Sequence, residues 1–182
     1  MATYDGMVHL RRAREADAWA IANVHVRTWQ QAYSDILPTG YLQALSIEAR
    51  ERYWATELRV LPAERRPWLA EAGPDVVGFV SAGPSRDEGI APSTAEIYAL
   101  YVMPESWDRG VGRSLLLHCE RELIQHGYEH ATLWLLAGNV RARAFYEAHG
   151  WQPDGAVKQD RIGDRDVEEL RYRRTLERSR VA

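Results

Sequence analysis

Residues 95–103, AEIYALYVM, are the most strand-like run of the chain, and Pro104 ends it. A turn with glycines at 110 and 112 follows, and a helix opens at once. Val111, Leu115, Cys119 and Leu123 keep a strict four-residue spacing, widened by Leu116 and Ile124, up to Gly127. Residues 132–136, TLWLL, are then almost wholly apolar, as in a strand buried on both faces. A strand, an amphipathic helix and a doubly buried strand within 95–136 set the class as α/β.

The flanks fit that class. Residues 8–11 read as a first strand. A helix begins near Asp17, with Ile21, Val24, Trp29 and Ala32 at helical spacing until Pro38 and Gly40 interrupt it. Residues 46–58 read as a second helix, starting from a serine. Residues 68–71 and 76–80 read as a hairpin about a Gly73-Pro74-Asp75 turn, and residues 84–94 as a polar loop. After 132–136, Asn139 opens a helix closed by His149-Gly150; Trp151 and residues 166–176 supply the last strands. No repeat or Gly/Ser linker divides the 182 residues, so they read as a single domain.

Composition removes several function classes. No stretch nears the ~20 apolar residues of a membrane span. The first residues, MATYDGMVHLRR, lack the apolar run of a secretory signal. Cys119 is the only cysteine, which excludes an internal disulfide and a cysteine-rich metal site. His25, His118, His126 and His130 show no metal-ligand spacing, so no metal is expected. A net charge of −3 argues against a nucleic-acid surface. These points together read as a cytoplasmic protein with no membrane partner. The tail, 177–182, is polar and reads as frayed.

The glycine turn carries the clearest chemistry. A helix N-terminus presents unpaired N–H groups and partial positive charge, which suits a phosphate, and Arg109 and Arg113 flank it. A glycine before a helix is also ordinary architecture, so the turn alone leaves both readings open. Arg113-Ser114 after too short a loop is not the Gly-Lys-Ser/Thr of a P-loop. Leu115 stands where a dinucleotide fold wants a third glycine. In the second cluster, residues 139–151, Asn139 can cap a helix, and Tyr146 offers a phenol of ordinary pKa near ~10.

Together, in this order, the two clusters resemble the Gcn5-related N-acetyltransferases: AEIYALYVMPESWDRGVGRSLLLHC resembles that family's strand four, acyl-CoA loop and helix three, and TLWLLAGNVRARAFYEAHGW its strand five and helix four. The resemblance implies a mixed central sheet with helices on both faces. It places an acetyl-CoA-binding core at about 95–151 and an acceptor-shaping part at about 8–65. It further implies transfer of acetyl from acetyl-CoA to a primary amine in a ternary complex, with a small-molecule amine as acceptor. Acetylation of a protein lysine or N-terminus, and a non-catalytic CoA sensor, are the alternatives.

Carried onto this chain, the resemblance gives Leu100 and Val102 backbone pairing with the pantetheine arm, and the Val102 N–H a carbonyl oxygen to stabilise. It gives Arg109, Gly110, Val111, Gly112, Arg113 and Ser114 the pyrophosphate, Asn139 a cofactor contact, and Tyr146 the role of acid. Glu96 stands where the histone-lysine branch has its base; a partly buried carboxylate with a raised pKa would serve, and ordered water is the alternative. Trp107 departs from the Gln or Arg that opens the family's Q/R-x-x-G-x-G/A loop. For the acceptor, Trp29 and Tyr33, four apart on one helix face, and Tyr98 are the candidates, with core packing the other reading of the aromatic pair. Family members are often homodimers; this sequence does not decide the point.

Overall fold

The computed structural model describes residues 8–177. The readings of the first seven residues and of 178–182 lie outside them. In chain order the elements are β1 (His9–Arg12), α1 (Ala18–Ala32), α2 (Thr39–Gln43), α3 (Ile47–Val60), β2 (Trp68–Ala72), β3 (Asp75–Pro84), β4 (Thr94–Val102), α4 (Val111–Gln125), β5 (His130–Leu136), α5 (Val140–Ala148), β6 (Gln152–Ile162) and β7 (Arg165–Thr175). They form one seven-stranded sheet, ordered β1-β2-β3-β4-β5-β7-β6. β4 and β5 are parallel, and every other neighbouring pair is antiparallel.

Helices cover both faces. Against α4 and α5 the sheet buries Val80, Ile97, Val102 and Leu133, with Leu115, Leu116 and Trp151 packed into the same cluster. Against α1 and α3 it buries Leu69 and Phe79, with Ile21, Val24 and Leu58 facing them. Each such side chain contributes roughly 1.5–3 kcal/mol relative to exposure. Trp151 is fully buried and donates its indole N–H to Glu120 Oε1 at 2.9 Å. No helix among the described residues is long and apolar enough to cross a membrane.

Two features of β4 create the site. β4 pairs with β5 only over Thr94–Glu96 against His130–Thr132; beyond those residues the strands separate. On the other side, the register with β3 slips: Ser81 faces Ala99 but Ala82 faces Ile97, leaving Tyr98 as an extra residue. The slip shifts the alternation, so Ala95 and Ile97 share the α4 face with Leu100 and Val102, while Ala99, Tyr101 and Met103 meet the α1–α3 cluster.

The chain end departs from the sequence expectation. Residues 152–162 form a full strand in a hairpin with β7, where the sequence suggests only Trp151 and a later strand. β6 is a sheet edge, exposed almost throughout, so its sequence carries no apolar alternation. The break at Pro38 and Gly40 is also filled, by α2; Pro38 sits at its N-cap, where a missing N–H costs no helical bond. Elsewhere the elements agree to within a few residues, and Ser46 caps α3 by accepting from the Ala49 N–H at 3.0 Å.

Candidate active site

Where β4 and β5 part, a groove of about 640 Å³ opens, walled by both strands, the N-terminus of α4 and the inner side of α5. Gly110 caps α4 with φ +79°, a left-handed conformation that side-chain-bearing residues rarely adopt. A Cβ on Gly112 would stand 3.4 Å from the Phe145 ring, in contact with it, so α5 packs directly against this turn of α4. The first helical bond of α4 runs from the Ser114 N–H to Gly110 O at 2.9 Å. The N–H groups of Val111, Gly112 and Arg113 precede that bond and are the unpaired donors of the helix end. The Ser114 N–H is spent inside the helix. Gly110, Gly112 and Arg113 line the groove; Arg109 is exposed away from it, and the Val111 side chain lies in the core.

The free edge of β4 faces the same groove. The Met103 N–H bonds Val77 O on β3 at 2.8 Å, so by antiparallel alternation Leu100 and Val102 turn their backbone groups away from β3. The Val102 carbonyl is occupied twice, by Thr28 Oγ1 at 3.0 Å and by the Trp107 indole N–H at 2.7 Å. Trp107 therefore ties the turn back to the strand end. The Arg141 guanidinium lies 4.4 Å over its ring and pairs with Asp108 at 2.8 Å.

α5 brings two further residues to the groove. Asn139 is buried and caps the helix, its Oδ1 accepting from the Ala142 N–H at 3.1 Å. Tyr146 is buried two turns on, edge-on to Phe145 and Trp151. Burial raises its phenol above the ordinary range, with Tyr101 and Cys119 adding to the effect. Tyr146 is thus a protonated phenol at neutral pH, on the groove wall.

On the α1 face a smaller cavity, about 200 Å³, adjoins the groove. Ile97, Tyr98, Tyr101 and Trp134, with Tyr33 from α1, border both spaces. Trp29 and Tyr33 are adjacent as the spacing requires, edge-on at 5.0 Å. They pack against the cluster of Leu37, Leu42, Leu136 and Val167 and also wall the cavity, so both sequence readings hold. Burial raises the phenols of Tyr33, Tyr98 and Tyr101 as well.

Glu96 departs from expectation. It is fully buried, not partly so, and it borders the small cavity and not the groove. Arg86, from the loop after β3, holds both of its carboxylate oxygens, through its backbone N–H at 2.9 Å and through its guanidinium. The same guanidinium stacks 4.4 Å over Tyr98, whose hydroxyl donates to Pro84 O at 2.6 Å.

Tyr101, Trp134, Arg86 and Thr28 line these spaces without having been singled out in the sequence. The first two carry one usable signal, as polar-tipped aromatics in strands that flank the turn. Among the described residues no group of three or more His, Cys, Asp or Glu is arranged to hold a metal ion.

The acetyltransferase (GNAT) family profile matches residues 19–151. Over 145 residues the chain is 34% identical to the Bacillus subtilis (strain 168) protein named uncharacterized N-acetyltransferase YuaI, covering 79% of each chain. Over 167 residues it is 22% identical to the spermidine N(1)-acetyltransferase of Thermoplasma acidophilum, covering 88% of this chain and 98% of that one. The crystal structure of PaiA N-acetyltransferase from Thermoplasma acidophilum in complex with coenzyme A superposes with a TM-score of 0.72 at 18% identity. That superposition covers 93% of this chain and 99% of the other, and the likeness is one of fold.

Proposed function

Because the chain belongs to the acetyltransferase (GNAT) family, and so to acetyl-CoA-dependent enzymes, we propose that it acetylates the primary amine of a small molecule by direct attack within a ternary complex. Acetyl-CoA supplies the activated acetyl thioester. The residues present suit it: the open N-terminus of α4 offers N–H groups to a pyrophosphate, and the free edge of β4 offers strand-like pairing to an amide-bearing arm. In this reading the N–H groups of Val111, Gly112 and Arg113 bind the phosphates, with Arg113 adding charge. Leu100 and Val102 orient the arm, and Asn139 contacts it from α5. The Val102 N–H donates to the thioester carbonyl oxygen, where negative charge gathers.

As the C–S bond breaks, Tyr146 gives its proton to the departing sulfur, and the proton lost by the attacking nitrogen passes through water and restores the phenol. The observation that carries the proposal is this phenol: buried, protonated, and set on the wall of the groove that the parted strands open. A non-catalytic CoA sensor would need the ring, which packs on Phe145 and Trp151, but not the hydroxyl. Glu96 is already held by Arg86, so we assign it the anchoring of that arginine, and ordered water takes the proton that the ammonium must lose before it attacks. The cavity lies between α1, the loop at 85–93 and the β6–β7 hairpin, which favours a small acceptor over a peptide chain.

The test is acetyl transfer from acetyl-CoA to a panel of amino acids, polyamines, aminoglycosides and lysine peptides, read by product mass. Acetylation of a small-molecule class is the expected result. Acetylation of peptides alone would transfer the reading to protein substrates. Tight acetyl-CoA binding with no product from any amine would favour the sensor.

A further inference from the structure

The small cavity on the α1 face has an uneven distribution of charge. Two ion pairs stand in its wall, Arg86 with Glu96 and Lys158 with Glu169, the latter at 2.6 Å. In each pair the carboxylate is turned inward and the cation outward. The Glu96 side chain is 2% exposed against 66% for Arg86; Glu169 is 18% exposed against 45% for Lys158. Both oxygens of Glu96 are consumed by Arg86. The cations are not consumed. Arg86 uses Nε and Nη2 on Glu96, and its Nη1 makes no hydrogen bond among the described residues. Lys158 carries three N–H donors, pairs with Glu169 by charge, and has its Nζ 4.4 Å over the Trp134 ring.

These cations belong to separate structural units that the fold brings to one opening. Arg86 sits in the β3–β4 loop, which Asp87 fastens by accepting from the Trp134 indole N–H at 3.0 Å and from Arg171 at 3.0 Å. Lys158 is on the edge strand β6, directly across from Glu169 on β7. The unspent polarity of this wall is therefore the Arg86 Nη1 and the Lys158 ammonium on one side, and on the other the Glu169 carboxylate, whose charge Lys158 already balances. An acceptor with several ammonium groups meets two cations there and one carboxylate outside Arg86's grip, Glu169, which is already paired with Lys158.

We propose that the acceptor carries a carboxylate beside its primary amine, and that Arg86 and Lys158 bind that carboxylate at the mouth of the aromatic cavity. This rests on the acetyl-transfer reading above and narrows its substrate class to amino-acid-like amines. The guanidinium and ammonium donors hold the anion, while Tyr33, Tyr101 and Trp134 enclose the body of the molecule. The amine is thereby directed to the boundary that the cavity shares with the groove.

The test compares kcat/KM for L-amino acids, for the same amino acids as carboxamides, and for spermidine, with the intact chain and saturating acetyl-CoA. The expected result is at least a tenfold preference for the free acid over its amide, and no advantage for spermidine. In Lys158→Gln the acid-to-amide ratio should fall at least threefold. Arg86→Gln should lower it too, but that change also strands the buried Glu96 carboxylate, so Lys158→Gln carries the test. Amides or spermidine used as well as the acids would overturn the proposal while leaving acetyl transfer intact. So would an acid preference that Lys158→Gln does not reduce. Failure of every amine, with acetyl-CoA still bound, would instead overturn the acetyl-transfer reading on which it depends.

Discussion

Tyr146 and His25 show how burial, as the largest influence, sets the protonation of a side chain. Tyr146 loses its hydration in the groove wall, which disfavours the phenolate and raises its pKa. An acid that works in its protonated form is lost only as pH rises through that raised value, so Tyr146 imposes no alkaline fall in turnover below about pH 10. Replacing it with Phe keeps the ring packing and removes the proton. Turnover should fall about a hundredfold or more, with acetyl-CoA affinity unchanged by calorimetry; an unaltered rate would remove Tyr146 as the acid. His25 is the opposite case. It is buried beside Tyr101 with neither ring nitrogen hydrogen-bonded among the described residues, and burial depresses its pKa to about 3. Between that value and the unfolded pKa of about 6.5 only the unfolded chain takes up the proton, so stability is lost as pH falls through this window. At pH 5 the loss amounts to about 2 kcal/mol. Urea unfolding at pH 7 and pH 5 should show it in the wild type, and His25→Phe should reduce the difference between the two pH values.

The unit β4–turn–α4 is the element on which cofactor binding depends, and the feature that binds is its backbone. Nothing lies within 4 Å of a Cβ built on Gly110, so space is not what requires glycine there; the φ of +79° is. Gly110→Val forces a branched side chain into that region at a cost of roughly 1–3 kcal/mol, or turns the helix end away from the groove. Acetyl-CoA affinity should drop at least tenfold by calorimetry, and an unchanged affinity would sink the phosphate assignment. This unit was legible in the sequence because period and punctuation coincide: a strand closed by Pro104, two glycines, then apolar residues every fourth position. β5 and α5 were legible for similar reasons. What stayed hidden has no period. The slip that leaves Tyr98 unpaired depends on β3, a strand distant in sequence. Arg86 lies in a polar loop whose letters do not say that it reaches Glu96. The exposed edge β6 offers no apolar alternation, so Lys158 could not be set beside Glu169. Trp107 could be seen to depart from the family pattern, but its bond to Val102 O requires knowing how the turn folds back.

At the scale of the whole molecule the sheet is joined unevenly. β5 and β7 pair along seven positions, whereas β4 and β5 share three. The two halves of the sheet are therefore held together near one end of β4, and the groove occupies the rest of that seam. A ligand that pairs with β4 on one side and rests against α5 on the other fills the gap between halves that the backbone leaves open. Only the folded chain presents both walls, so binding adds directly to stability. At a hundredfold excess over Kd the gain is about 2.7 kcal/mol. For a chain of this size that corresponds to a rise in Tm of roughly 5–10 °C. The rise should come with slowed hydrogen exchange at residues 97–102, at the first turn of α4 and along α5, while β1 and β2, remote from the seam, exchange as before. A Tm rise without protection along residues 97–102 would place the ligand outside the groove, and the assignment of Leu100 and Val102 as its strand-like partners would fall with it.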